Sequence, residues 1–293
     1  VRLAAIDIGT NASRLLITEV VQNDNEKPVF NKLNLIRVPL RLGFDVFETG
    51  EISRGKNEMI LQTMKAYAHL MKAYKVEKSI AVATSAMRDA RNRDEIVRNI
   101  FLETGISIKV ITGDFEASLI YENHIAENLN TNSNYLYIDV GGGSTELTFF
   151  ANNELVFKKS FNIGTIRLLK NTADENVWQD IKESIRQKIK GQQNIIAIGT
   201  GGNINKVFSM SKKKEGKSLS AELLKDYYRE FSACTLEERI KIYNLREDRA
   251  DVIVPALLIY IQIMKWADIS EILVPKIGLA DGLIQHLYAE LRA

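Results

Sequence analysis

Two stretches of this chain follow one pattern: "LAAIDIGTNASRLLIT", Leu3 to Thr18, and "YLYIDVGGGSTELTFF", Tyr135 to Phe150. Each is an apolar strand ending in an acid, a short polar turn with glycine, and a second apolar strand. Asp7 and Asp139 sit at matching places, and Gly9 and Gly141 each follow two residues later. A repeat at this separation is too long for a solenoid, so it predicts two similar domains, each opening on a hairpin. The polar run "NTNSN", Asn130 to Asn134, is the best break between them. The predicted domains are residues 1–130 and 131–293, with the terminal helix free to pack back on the first. Facing hairpin loops from two such domains would line a cleft, a favoured place for a small-molecule site.

The rest of the chain alternates strands and helices, which makes the fold class α/β. "VFNKLNLIRVPL" reads as a third strand, followed by an amphipathic helix over Ser53–Tyr74. "SIAVATSA" and "IKVITG" read as strands around a helix near Arg91–Glu103, and a further helix begins near Asp114 and runs through "EASLIYENHIAENL". In the second half, Asp174–Lys190 reads as a polar amphipathic helix and "NIIAIGTGGNINKV" as strand, glycine turn and helix start. Helices are then predicted over Ser220–Asn244 and Arg249–Trp266, then a strand "EILVPKIG" and a terminal helix.

Composition excludes several classes. The formal net charge of +2 gives no field that would draw a nucleic acid duplex. The lone cysteine, Cys234, cannot form an internal disulfide and fits a reducing compartment. The most apolar run, Val252–Trp266, is interrupted by Pro255, Gln262 and Lys265 and reads as a buried helix. The chain opens directly on a strand with no secretory leader, so a cytoplasmic protein is expected. His69, His124 and His286 are scattered, with no zinc-binding spacing. The basic run "KKKEGK", Lys212–Lys217, reads as a solvated turn.

Three glycine-rich turns each follow a strand: "DIGTN", "DVGGGST" and "IGTGGN". None is a Walker A loop or a dinucleotide fingerprint. Glycines Gly141, Gly142 and Gly143 leave backbone N–H groups uncovered, and such a run can form a nest for an anion. Asp7, Asp139 and Glu146 flank these turns, and carboxylates bridged to phosphate by Mg²⁺ are a common arrangement. The plainer reading of each acid is a turn cap or an exposed side chain. Arg88, after a strand in "ATSAMRDARN", can grip a phosphate bidentately or pair with Asp89 or Asp94. Glu116 opens a helix in "ITGDFEASLIY", where composition alone favours simple helix-dipole placement.

Taken together, "AAIDIGTNASRLL", "ATSAMRDARN", "ITGDFEASLIY", "YIDVGGGSTEL", "AIGTGGNINKV" and "KIGLADGLI" resemble, in order and spacing, the exopolyphosphatase / guanosine-pentaphosphate phosphohydrolase family. The resemblance implies two actin-like (ribonuclease H-like) domains with an interdomain cleft, in the short form without the extra helical domain of longer members. It implies a hydrolase of phosphoanhydride bonds, with polyphosphate or guanosine pentaphosphate as substrate, Mg²⁺ or Mn²⁺ as cofactor, no membrane, and room for a homodimer. By position, Glu116 looks like the family's catalytic glutamate, which reverses the reading from composition. Asp139 and Glu146 match the acids that position water and metal, with Asp7 also beside the metal. Thr10 and Asn11 match the first phosphate loop, Gly141 to Gly143 with Ser144 and Thr145 the second, and Arg88 and Arg249 the phosphate-gripping arginines. Two positions depart from the family pattern: Phe115 stands where a first glutamate is usual, and Ala280 where an arginine is usual. A kinase and a non-catalytic sensor of polyphosphate or alarmone are the competing readings.

Overall fold

The computed structural model describes residues 1–22, 27–125, 133–152, 154–189, 191–275 and 277–292. The side chains of residues 120–125 lie outside the description. So do most of the "NTNSN" break and the far end of the helix expected after Asp114. The chain forms two compact units, Val1–Glu127 with Gly278–Ala293, and Asn128–Ile277.

The first unit is built on a five-stranded sheet. Strands β1 (Arg2–Ile8), β2 (Ser13–Val21) and β3 (Val29–Val38) form an antiparallel meander. Helices α1 (Gly43–Thr49) and α2 (Arg54–Ala73) lead to β4 (Lys78–Ala83), then α3 (Ser85–Asp89) and α4 (Arg93–Thr104) to β5 (Ile108–Val110) and α5 (Gly113–Ile125). The order is β3-β2-β1-β4-β5, with β4 and β5 parallel to β1. Period-two alternation supplies both faces of β1 with apolar side chains. Ala4, Ile6 and Ile8 pack with Ile60, Met64 and Ile96 from α2 and α4. Leu3 and Ala5 point the other way, onto Leu119 of α5 and Leu283, Ile284 and Leu287 from the C-terminal segment. The C-terminal segment belongs to this first unit and packs in its core.

The second unit repeats this plan. Strands β6 (Asn134–Val140), β7 (Thr145–Ala151) and β8 (Glu154–Phe161) form its meander. Helices α6 (Thr165–Leu169) and α7 (Val177–Lys188) precede β9 (Ile195–Thr200). There follow α8 (Gly202–Met210), β10 (Leu219–Ser220), α9 (Ala221–Ala233), α10 (Leu236–Tyr243), α11 (Glu247–Ala250), α12 (Ile253–Trp266) and β11 (Glu271–Leu273). The sheet order is β10-β11-β9-β6-β7-β8. Helix α13 (Leu279–Glu290) then returns to the first unit. Read outward from β8, the run β8-β7-β6-β9-β11 matches β3-β2-β1-β4-β5. Even the register irregularities correspond: one lies at Ile17/Thr18 and one at Phe149/Phe150, each starting ten residues after its strand-end aspartate.

Some elements differ from their sequence reading. The helix expected over Ser220–Asn244 is two helices, because Cys234 is extended and Thr235 starts afresh with a capping box to Glu238. The helix expected from Arg249 begins earlier as the short α11, and α12 starts only at Ile253. Strand β8 and the short helices α1, α3 and α6 had no periodicity long enough to read. Among the described residues, no helix is long and apolar enough to cross a membrane.

Candidate active site

In the first unit the β1–β2 hairpin places Asp7 opposite Arg14. Asp7 is 3% exposed, and Arg14 Nη1 donates to its Oδ2 at 2.9 Å. Burial raises the Asp7 carboxyl above its ordinary range, while the Arg14 charge and hydrogen bond pull it back down. Within the turn, Thr10 Oγ1 and Ser85 Oγ lie 2.6 Å apart, and the same Thr10 oxygen accepts from the Ala86 N–H. The Asn11 carbonyl takes the Arg41 N–H and the Thr10 carbonyl takes the Gly43 N–H. Gly43 is required there, because a Cβ would lie 2.4 Å from Thr10 Cγ2. The first loop is thus tied on one side to α3 and on the other to the start of α1.

Arg88 from α3 donates through Nη1 to the Ile111 carbonyl at 2.8 Å. It pins the stretch that leads into α5 and Glu116. Glu116 is 8% exposed, a rare degree of burial for a carboxylate in a first helical turn. Its N–H donates to the Thr112 carbonyl. Phe115, in the place of a first glutamate, is edge-on to His286 at 5.8 Å and lies under Lys109 Nζ at 5.1 Å. Ala280 is buried in the same apolar cluster. Phe115 and Ala280 thus both lie in the packing between α5 and α13.

In the second unit the β6–β7 hairpin places Asp139 opposite Glu146. A carboxylate oxygen of each lies within 4.8 Å of the other, and Glu146 is buried. Ser160, opposite Glu146 on β8, donates to its Oε1 at 2.7 Å. Between the acids runs the glycine loop. Its first amide, Gly141 N–H, closes onto the Ser144 carbonyl, and Thr145 Oγ1 donates to the Ile163 carbonyl at 2.6 Å. Two acids this close, held in a hairpin, repel one another unless a cation or a proton intervenes.

The third glycine turn joins the same unit. Gly201 has φ +107°, and a Cβ there would lie 3.1 Å from Asp139 Oδ1. Only glycine lets the backbone come so close to that carboxylate. Buried Tyr260 of α12 donates to the Thr200 carbonyl just before the turn. Burial, then the Asp139 charge, push its phenol well above the ordinary range. Arg249 of α11 donates through Nη1 to the Gly202 carbonyl, so its guanidinium is fixed at the start of α8.

Arg14, Ser85, Ser160 and Tyr260 were not singled out from the sequence. A register count across each hairpin would have found Arg14 and Ser160, which stand directly opposite named acids. Tyr260 carries no local signal, since a tyrosine in an apolar helix looks like core.

A profile of the Ppx/GppA phosphatase family matches residues 19–290. The chain is 30% identical over 293 aligned residues to a bifunctional 3-dehydroquinate synthase/phosphatase of Fusobacterium nucleatum, covering 90% of this chain and 43% of that protein. It is 35% identical to exopolyphosphatase 2 of Mycobacterium tuberculosis, covering 57% of this chain and 53% of that one. The chain therefore spans about half the length of these curated relatives. A solved exopolyphosphatase from Cytophaga hutchinsonii superposes with a TM-score of 0.84 at 26% identity, covering 100% of this chain and 98% of that one.

Proposed function

The chain belongs to the Ppx/GppA phosphatase family, with its actin-like α/β fold, and from that membership we propose that it releases terminal phosphate from inorganic polyphosphate. The observation that carries this reading is the acidic pair Asp139 and Glu146 flanking a glycine run in one hairpin. Phosphoryl transfer needs donors and charge neutralisation more than covalent chemistry, and this hairpin offers backbone amides and a carboxylate pair that could hold a neutralising cation.

Glu116 is proposed as the general base. It takes a proton from water, whose oxygen bonds to the terminal phosphorus. The bridging P–O bond breaks, and its electron pair leaves on the shortened chain. Amides of the Gly141–Gly143 run, with Ser144, Thr145, Thr10 and Asn11, are proposed to hold phosphoryl oxygens, and Arg88 and Arg249 to balance their charge. The donor set at Asp139 and Glu146 fits a hard divalent cation, Mg²⁺ or Mn²⁺, which takes carboxylate oxygens. Such a cation would neutralise charge on the phosphoryl oxygens. At Asp7 the Arg14 guanidinium already occupies Oδ2, so a cation there would share the carboxylate. The second hairpin is therefore the better place for the metal.

The test is divalent-dependent phosphate release from long-chain polyphosphate and from guanosine pentaphosphate, side by side. Glu116→Gln is expected to lower kcat about 10²–10⁴-fold. Release that survives this substitution would remove Glu116 from the mechanism. Faster release from guanosine pentaphosphate would transfer the proposal to that substrate. Tight binding without release from either would make the protein a sensor.

A further inference from the structure

The glycine run is pinned from one side by the segment that opens α6. The Gly141 carbonyl accepts from the Thr165 N–H at 3.0 Å, and the Gly142 carbonyl from the Ile166 N–H at 2.8 Å. The Gly143 carbonyl accepts from Arg167 Nε at 2.7 Å. Three successive carbonyls are thus turned toward one segment. In a planar trans peptide the following N–H points the opposite way. The N–H groups of Gly142, Gly143 and Ser144 therefore all point away from those donors of the α6 segment. Two of the three bonds come from backbone and are indifferent to sequence. The third comes from one side chain.

The fit at this contact is close. A Cβ on Gly164 would lie 2.5 Å from Gly142 C and O and from Gly143 N. That leaves no space for the loop to settle lower if one bond is lost. Arg167 also contributes its own N–H to the Gly142 carbonyl, at 3.4 Å.

We infer that Arg167 is a positioning residue for phosphate: it orients the Gly143–Ser144 peptide so that three consecutive amides converge on one anion. This rests on the phosphohydrolase reading, since the aimed amides are those proposed to hold the phosphoryl group. Lysine can replace the charge and one donor but not the planar fork, so it should restore only part of the effect.

The test is Arg167→Ala and Arg167→Lys in the full chain, with steady-state kinetics on long-chain polyphosphate and thermal melting. Arg167→Ala is expected to raise KM and lower kcat/KM about 10²-fold, the scale of a misplacement near 1 Å. Arg167→Lys should recover part of that loss. Unchanged kcat/KM with a lower Tm would overturn the inference and leave Arg167 a packing residue. If the wild type releases no phosphate from polyphosphate, the function is wrong, and calorimetric binding of tripolyphosphate decides the inference separately. Binding at least about tenfold weaker in Arg167→Ala, near 1.4 kcal/mol, supports it, and equal affinity overturns it. Should Arg167→Ala fail to fold, the same readings are taken on Arg167→Lys, where affinity and kcat/KM equal to wild type overturn it.

Discussion

The two hairpins of this protein share one plan but set residues of opposite charge across the turn from their aspartates. Both end their first strand in a buried or half-buried aspartate, and both place a charged residue seven positions later, directly across the turn. In the first hairpin that residue is Arg14, and the pair neutralises itself. In the second it is Glu146, and the pair gathers negative charge that asks for a cation. The strand order around each is the same. A single side-chain choice at one register position therefore separates a hairpin closed by its own ion pair from one suited to a metal.

The largest effect is expected from Glu146→Arg, which gives the second hairpin the pairing of the first. Arg14 reaches solvent where Glu146 is buried, so some loss of stability is expected, and circular dichroism checks that the variant folds. Manganese binding, read by electron paramagnetic resonance, should be lost along with phosphate release. Retained metal binding would show that the metal does not depend on Glu146.

Arg14→Ala attacks the first hairpin. It leaves Asp7 buried without its guanidinium, and stability should fall by about 2–3 kcal/mol at neutral pH, less than the ~3–5 of a wholly buried pair because the Arg14 side chain is 32% exposed. The pH dependence has a definite sign. Burial holds the Asp7 carboxyl above its unfolded value, so the folded state binds more protons and stability falls as pH rises through that window. Without Arg14 the carboxyl shifts higher still. The loss in the variant should therefore shrink as pH is lowered toward the ordinary aspartate range, read by urea unfolding at several pH values.

Gly201→Ala probes the shared backbone of the second hairpin and the third turn. A Cβ at φ +107° and 3.1 Å from the Asp139 carboxylate should cost about 1–3 kcal/mol. Thermal melting reads that loss, and phosphate release should fall with it. The smallest effect expected is that of Tyr260→Phe, which removes one buried hydrogen bond to the Thr200 carbonyl. About 1 kcal/mol is the scale, visible as a modest drop in Tm.

How far the sequence reached depended on the range of the interaction. The hairpins were legible because strand, turn and strand lie within sixteen residues, as two apolar runs separated by one short polar turn. Asp139, Glu146 and the glycine run stood out for the same reason. Strand β8 was harder, since its exposed residues Leu155 and Val156 blur the alternation. Ser160 was therefore missed, though it meets Glu146 directly. The break at Cys234 was masked by helix formers on both sides.

Neighbours along the chain were enough to read the duplicated hairpins, the α/β class and the residue types gathered in each turn. Only the tertiary structure decided what each polar group spends its bonds on. Asp7 is committed to Arg14, Arg88 to the Ile111 carbonyl and Arg167 to the Gly143 carbonyl. Likewise, nothing local sends α13 back beneath β1, where Leu283 and Ile284 meet Leu3 and Ala5. The physical reason is that burial removes water as an alternative partner. Each donor and acceptor must then find its mate in space, and spatial neighbours are set by the packing of distant segments.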